Sequence, residues 1–284
     1  MRRRGGAGPA LAVLCAPAAL SWAAVWCMAC GAVTGQSALA AALSPALGAG
    51  EGYAVWPLWP PAPSLAPAVQ LLFDTPQFFV MFWNTCAQAF GQVAGQLLAG
   101  AGAAWALSRL RFRLRRPLLA VYTVLMLLPF QVTMVPSYLV LDALGLMDTM
   151  WAVILPGAFS AFPVFIMAKG FDSVPRSLLE AAALDGAGYA RTFWSIGLPL
   201  GMPGILSACV LCFLEAWGAV EQPMTFLKNQ ALWPLSLYLP QVPASALSLA
   251  CAASLLMLAP AVLVFLFGQD YLELGIQSAG LKEG

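Results

Sequence analysis

Long uncharged stretches alternate with short charged stretches along this chain. No Asp, Glu, Lys or Arg occurs in the runs 5–50, 75–108, 117–141, 149–168, 192–214 and 229–269. A helix of about 20 residues is long enough to cross the roughly 30 Å hydrocarbon core of a bilayer. The pattern therefore predicts about six transmembrane helices within one transmembrane domain, 1–284. They are placed at 9–33, 84–108, 117–141, 149–168, 198–220 and 246–268.

Composition predicts the same class of protein. The chain is 61% hydrophobic and only 9% charged, and its mean hydropathy of +0.83 is far above that of a soluble domain. We expect an all-α integral membrane protein. A cleavable signal peptide is a competing interpretation of the first run, because the basic MRRR precedes it and SALA within it ends in the cleavage pattern Ala38-Leu39-Ala40. The apolar stretch is longer than a typical signal sequence, which favours a retained helix.

Basic residues predict the orientation, because Lys and Arg in short loops stay on the cytoplasmic side. With the N-terminus inside, every basic residue except Lys228 lies on that side. These residues are Arg2, Arg3, Arg4, Arg109, Arg111, Arg113, Arg115, Arg116, Lys169, Arg176, Arg191 and Lys282. We expect both termini to be cytoplasmic. The arginine-rich run at 109–116 is interpreted as a topology anchor rather than a phosphate site, and no nucleic-acid partner is expected.

The chain contains few groups that could perform chemistry. It has no histidine, the usual general base and the commonest metal ligand. It also lacks a G-x-x-x-x-G-K-[ST] loop, so we expect no ATP binding by this chain. The C-x-x-C pair Cys27 and Cys30 lies inside a predicted span, where free cysteines behave as small hydrophobic residues. We predict no catalytic residue, no metal site and no cofactor.

One predicted cytoplasmic loop, 170–197, gathers charged residues in this apolar chain. Ser173 can cap a helix whose first turn contains Pro175, a residue tolerated there because its missing N–H would have no intrahelical partner. Asp185 and Gly186 predict a break, followed by a second short helix. Two short helices joined by a turn would project from the inner face.

The composition of this loop suits contact with another protein. Small side chains at Ala181, Ala182 and Ala183 would let a partner backbone approach closely, and Glu180 and Asp185 could form hydrogen bonds at the rim. The competing interpretation is a solvated linker whose charges keep it out of the membrane.

The spacing within the loop favours the docking interpretation. It follows the pattern E-A-A, three residues, G, nine residues, I, one residue, L-P, at Glu180, Ala181, Ala182, Gly186, Ile196, Leu198 and Pro199. This resembles the EAA loop of permease subunits in binding-protein-dependent ABC importers. The stretches FFVMFWNTCAQAF and VPSYLVLDALGLMDTMWAVILP also resemble the carbohydrate-uptake branch. The resemblance covers roughly 75–280.

The resemblance implies a MetI-like permease fold and a role without chemistry. In the family the loop docks on a cytoplasmic ABC ATPase subunit, which binds the ATP, so Glu180, Asp185 and Gly186 would transmit force. An extracytoplasmic solute-binding protein would deliver a sugar or related polar solute. The chain resembles the second permease of a pair, so a second permease subunit is expected. The implied location is the bacterial or archaeal plasma membrane.

Residues near the end of the fifth predicted span are candidates for the solute pathway. Glu215 is a carboxylate at the edge of an apolar run, where ionisable residues are costly and tend to be functional. Trp217 could stack on a sugar ring, although membrane anchoring by an interfacial tryptophan is the favoured alternative. Glu221 and Gln222 complete the set. Gly218 stands where many carbohydrate permeases have Asn, so the identity of the sugar is not carried over.

Two other classes of function remain open. A non-transporting membrane scaffold, or a degenerate permease with a regulatory or export role, would retain docking without solute flux. A membrane-embedded enzyme is disfavoured because histidine and paired intramembrane carboxylates are missing.

Overall fold

The computed structural model describes residues 7–46 and 52–280, which are largely helical. The α-helices are α1 (Ala7–Ala32), α2 (Gln36–Leu43), α3 (Ala66–Phe73), α4 (Pro76–Gly95), α5 (Ala101–Arg109), α6 (Arg115–Leu127), α7 (Phe130–Ala143), α8 (Met150–Ala158), α9 (Ala161–Asp172), α10 (Arg176–Leu184), α11 (Tyr189–Thr192), α12 (Leu198–Gly218), α13 (Glu221–Phe226) and α14 (Leu247–Gly280). The π-helical segments Gln96–Gly100 and Phe193–Gly197 lead into α5 and α12. The orientation signals at Arg2, Arg3, Arg4 and Lys282 lie outside the described residues.

Several helical segments have the length and composition to cross a membrane. Within the described residues there are four, Cys15–Ala32, Met150–Asp172, Tyr189–Gly218 and Leu247–Leu274, and a fifth if α6 and α7 form one broken span. The predicted span 84–108 is not among them, although it lies in the helical stretch from α4 to α5. Its amide side chains lower the hydropathy, so the number six stays a prediction.

A sharp bend of 108° separates α6 from α7. Leu128 and Pro129 between them have extended backbones, with ψ of 125° and 155°. Proline disfavours the helical conformation of the residue before it, and this explains why the predicted span 117–141 is broken near its middle.

The chain divides into two compact units, and the first comprises 1–79 and 238–259. In it, the proline-rich segment after α2 is fastened to α1 by two tryptophan indoles. Trp26 Nε1 donates to Leu58 O at 3.0 Å, and Trp56 Nε1 donates to Cys27 O at 3.1 Å. One hydrogen bond is therefore donated by α1 to the segment, and the other by the segment to α1.

The second unit comprises 80–237 and 260–284 and contains both candidate sites. Its main core lies where α9 packs against α5 and α12. Gly170 of α9 meets Gly204 of α12 so closely that a Cβ on Gly170 would lie 2.7 Å from Gly204 Cα. Small residues allow such close backbone approach between membrane helices. This crossing fixes the two helices that the loop predicted at 170–197 connects.

A stripe of amide side chains follows one face of the helical stretch that begins with α4. Asn84, Gln88, Gln92 and Gln96 are spaced by four residues, which places them on one face; the three glutamines are buried. Gln92 Nε2 donates to Val153 O at 2.8 Å, and Gln96 Nε2 donates to Gly157 O at 2.9 Å and Ser160 O at 3.0 Å. These amides donate to carbonyls within α8 and at its junction with α9, where the regular helical hydrogen bonds are interrupted.

The segment after α13 is held by the start of the same stripe. Asn84 Nδ2 donates to Ala231 O at 2.7 Å and to Trp233 O at 3.1 Å. The hydroxyl of Thr85 accepts a hydrogen bond from Leu235 N at 2.6 Å. The Asn84-Thr85 pair, noticed in the sequence only as part of a resemblance, thus anchors a segment some 150 residues away.

Candidate functional site

The predicted loop forms a helical hairpin with Gly186 at its turn. Helix α10 ends in three hydrogen bonds: Asp185 N donates to Ala181 O at 3.0 Å, Gly186 N to Ala183 O at 3.1 Å and Ala187 N to Ala182 O at 2.9 Å. Gly186 has φ of +75°, a left-handed conformation that glycine adopts without steric cost. The predicted break at Asp185 and Gly186 is confirmed.

The start of this hairpin differs from the prediction. Helix α10 begins at Arg176, so Pro175 precedes the helix, and no side chain caps it. The Ser173 hydroxyl instead donates to Gly170 O at 2.7 Å, at the end of α9. The expected cap by Ser173 is therefore wrong, because its hydroxyl joins its own backbone N–H in donating to a carbonyl in the last turn of the preceding helix.

The exposed face of the hairpin combines acidic and large apolar side chains. Glu180, Ala181, Asp185 and Gly186 are all exposed. Large apolar side chains, which water solvates poorly, lie beside them. Leu184 is 89% exposed, Tyr189 is 80% exposed and Trp194 is 66% exposed. Such a surface is typical of a protein interaction site.

One member of the E-A-A motif serves a different purpose from that expected. Ala182 is only 8% exposed, and its carbonyl accepts the hydrogen bond that closes the turn. The sequence predicts that all three alanines admit a partner backbone. The structure instead buries the side chain of Ala182, so a partner would not reach it.

The second half of the motif lies on the core of the second unit. Ile196 belongs to the π-helical segment, and Leu198 and Pro199 begin α12. Between them, Gly197 is buried so closely against Trp105 that an added Cβ would lie 2.5 Å from the ring. The Trp105 ring also contacts Phe193, with centroids 5.7 Å apart. Movement of the hairpin would therefore be felt directly by α5 and α12.

Arg109 fastens the base of the hairpin. Its Nε donates to Phe171 O at 2.9 Å, and its Nη2 donates to both Phe171 O and Val174 O. Beside it, Ser108 Oγ donates to Asp172 Oδ1 at 2.8 Å. Burial lowers the pKa of the Arg109 guanidinium while Asp172 raises it, and arginine stays cationic at neutral pH. The sequence predicts Arg109 only as part of a topology anchor, and its position at the end of a predicted helix is the one signal of this additional contact.

A second candidate site is a cavity of about 550 Å³ in the second unit. It opens beside the bend between α6 and α7 and is lined on other sides by α8, α9, α12 and α13. Its polar lining consists of Gln92, Thr133, Ser137, Ser160, Glu215, Glu221 and Gln222. A broken span beside a polar cavity is a recurring arrangement for solute sites in transporters.

Three of the four predicted pathway residues meet in this cavity, and the fourth does not. Glu221 Oε2 accepts a hydrogen bond from Gln131 Nε2 at 2.7 Å, and Gln222 Nε2 donates to Val153 O at 3.2 Å. Glu215 is exposed toward the cavity. Trp217, by contrast, is 6% exposed and stacks on Phe213 at 5.4 Å, so it is not placed to bind a sugar there.

Similarity to known proteins bears on both sites. Residues 96–278 match the family described as binding-protein-dependent transport system inner membrane component. This chain belongs to that family. As a member of this transport family with several apolar helices, it is a multi-pass membrane protein, and the predicted family is confirmed.

Relatives within this transport family include three named proteins. Protein LplC of Bacillus subtilis is 33% identical over 175 residues, which are 62% of this chain and 59% of LplC. The polygalacturonan/rhamnogalacturonan transport system permease protein YtcP, from the same organism, is 36% identical over 141 residues, 49% of this chain and 48% of YtcP. The sulfoquinovosyl glycerol transport system permease protein SmoH of Agrobacterium fabrum is 29% identical over 232 residues, 79% of this chain and 80% of SmoH. The alignments thus span about half to three fifths of the first two relatives.

The fold of this family member also matches a solved structure. A chain from a bacterial ABC transporter involved in the import of the acidic polysaccharide alginate superposes with a TM-score of 0.78. The match is 24% identical and covers 95% of this chain and 99% of the other. The predicted all-α, MetI-like fold is confirmed.

Proposed function

We propose that this chain is a permease subunit of an ATP-driven ABC importer for a sugar or a related polar solute. The observation that carries the proposal is the hairpin at 176–192, whose exposed face offers Glu180, Asp185, Leu184 and Tyr189 to a partner. Membership of the binding-protein-dependent family and the carbohydrate-related systems named for YtcP and SmoH support it.

The hairpin would act as the mechanical link to a separate ATPase subunit. Docking on Glu180, Ala181, Asp185 and Gly186 would transmit motion through Gly197 and the aromatic side chains around Trp105 into α5 and α12. Packed side chains with discrete arrangements transmit such motion because interiors are dense and poorly compressible. ATP binding and hydrolysis belong to the ATPase, so this chain needs no catalytic residue of its own.

The proposed assembly has three further participants. A second permease subunit would complete the pore, an extracytoplasmic solute-binding protein would deliver the solute, and the plasma membrane of a bacterium or archaeon would hold the complex. Glu215, Glu221 and Gln222 would line the solute pathway through the cavity.

The test measures ATP hydrolysis stimulated by the binding protein in liposomes. The chain is co-expressed with its candidate permease and ATPase partners, as wild type and as Gly186→Arg. Arginine at φ of +75° is strained, and it projects from the turn because nothing lies within 4 Å of the added Cβ. We expect stimulation in the wild type and its loss in Gly186→Arg, together with loss of the co-purifying ATPase.

Gly145→Arg is the matched control. Gly145 has φ of +67° and equally open surroundings, but it lies outside the hairpin, after α7. We expect this variant to keep both stimulation and the bound ATPase. If the wild type retains no ATPase, or Gly186→Arg is stimulated as well as wild type, the coupling role of the hairpin is wrong. An ATPase that binds the wild type but is not stimulated would favour a scaffold without transport.

A further inference from the structure

The side chains that line the cavity and can carry a charge are acidic. Glu215 and Glu221 contribute carboxylates, and no lysine or arginine is among the described residues that line it. Low-dielectric walls around charges of one sign concentrate their field and raise the local concentration of counter-charges. The cavity is therefore unfavourable for an anion.

Of the two carboxylates, Glu215 is the one without a hydrogen-bond partner among the described residues. Glu221 is occupied by Gln131, whereas Glu215 has no hydrogen-bond or ion-pair partner among the described residues and is exposed toward the cavity. It belongs to the apolar segment Tyr189–Gly218, where a carboxylate is costly unless water or a ligand solvates it. A hydrated passage supplies this solvation.

The rest of the lining suits a polyhydroxylated solute. Thr133, Ser137 and Ser160 supply uncharged donors and acceptors, while Leu128 and Phe130 supply apolar surface at the bend. A sugar presents hydroxyl edges and C–H faces, and mixed linings of this kind bind such ligands. The volume of about 550 Å³ falls within the usual range for small-molecule sites.

We propose that this cavity passes a polyhydroxy solute that carries no negative charge, and that Glu215 excludes anionic solutes. The inference rests on the proposed transport function and adds the charge class of the solute. Specificity of this kind arises from a repulsive element as well as from attractive contacts.

The first test measures the charge preference of the cavity without requiring the solute. A Ser137→Cys variant, in a chain whose native cysteines are replaced, is treated in membranes with cationic and anionic methanethiosulfonate reagents of similar size. Rates are divided by those for a free small thiol. We expect the cationic reagent to react at least about tenfold faster, and Glu215→Gln to reduce this ratio several-fold.

Two further variants serve as controls for the reagent measurement. Asp142→Asn removes an exposed carboxylate of α7 that does not line the cavity, and we expect it to leave the ratio unchanged. The measurement is repeated with Thr133→Cys, so that one badly tolerated position does not decide the result. Equal rates for both reagents, or no reaction at either position, would overturn the proposal.

The second test uses uptake by the assembled importer in liposomes. A neutral disaccharide, its amino-sugar counterpart and its uronic-acid counterpart are compared for wild type and Glu215→Gln. We expect uronic-acid uptake below about one tenth of the fastest of the three in the wild type, and a smaller difference in Glu215→Gln. Equal uptake of the uronic acid in the wild type would overturn the inference.

The two proposals fail in different ways. If the transport proposal is wrong, ATPase stimulation and uptake are absent. The ratio of reaction rates with the two thiol reagents still reports the sign of the charge in the cavity. If the charge inference is wrong, stimulated uptake is intact and the preference among the three solutes does not change in Glu215→Gln.

Discussion

At the scale of single residues, Arg109 shows how one side chain can position a whole segment. Its guanidinium supplies donors to Phe171 O and Val174 O, where α9 ends and the hairpin begins. In Arg109→Gln, Val174 O loses the Arg109 donor, whereas Phe171 O keeps the hydrogen bond from Val174 N at 3.1 Å, and such a loss costs about 1–3 kcal/mol. We expect weaker ATPase retention during purification and at least a several-fold drop in stimulated hydrolysis. Arg109→Lys should restore part of the loss, because lysine keeps a donor but not the planar fork.

The basic run around Arg109 contains its own control. Arg113 is exposed and forms no hydrogen bond within the described part of the chain. We expect Arg113→Gln to retain wild-type coupling. If it lowers coupling as strongly as Arg109→Gln, the net charge of the run matters and the specific contacts of Arg109 do not.

At the scale of helices, the crossing of α9 and α12 depends on two glycines. A Cβ on Gly204 would lie 2.6 Å from Gly170 Cα, and the backbone cannot rotate away as a flexible side chain would. Gly204→Ala must push the helices apart, and overpacking of this kind costs about 1–3 kcal/mol. We expect the midpoint of thermal unfolding in detergent to fall by about 5 °C.

Gly218, at the end of the same helix, separates this packing effect from helix propensity. Its added Cβ would meet nothing within 4 Å, so Gly218→Ala should leave the midpoint unchanged or raise it slightly, since alanine favours helix. Equal destabilisation by both substitutions would contradict the packing explanation.

At the scale of the whole molecule, the predicted orientation puts the hairpin inside and the segment after α13 outside. Leu184 and Lys228 are both exposed and report on these two sides. In a chain without other cysteines, we expect a membrane-impermeant maleimide to label Leu184→Cys only in inside-out vesicles stripped of ATPase. Lys228→Cys should be labelled only in right-side-out vesicles. The opposite result would reverse the topology inferred from the basic residues.

Much of the fold could be predicted from local sequence features. The apolar runs locate most of the long helices, and the left-handed turn at Gly186 follows from a glycine placed directly after a helical stretch. The cap at Ser173 could not be predicted, because Gly170 O competes for the same hydroxyl. Likewise, Pro129 could be seen in the sequence, but the 108° angle of the bend depends on what packs against it.

By itself, the sequence determined the membrane class, the family and the position of the hairpin, because hydropathy, motif spacing and the conformational range of glycine are properties of the local chain. Only the tertiary structure decided which side chains face a partner, the core or the cavity. Ala182 turns inward, Trp217 is buried against Phe213, and Glu215 points into an acidic cavity. These outcomes depend on neighbours contributed by distant helices, and a linear pattern does not contain that information.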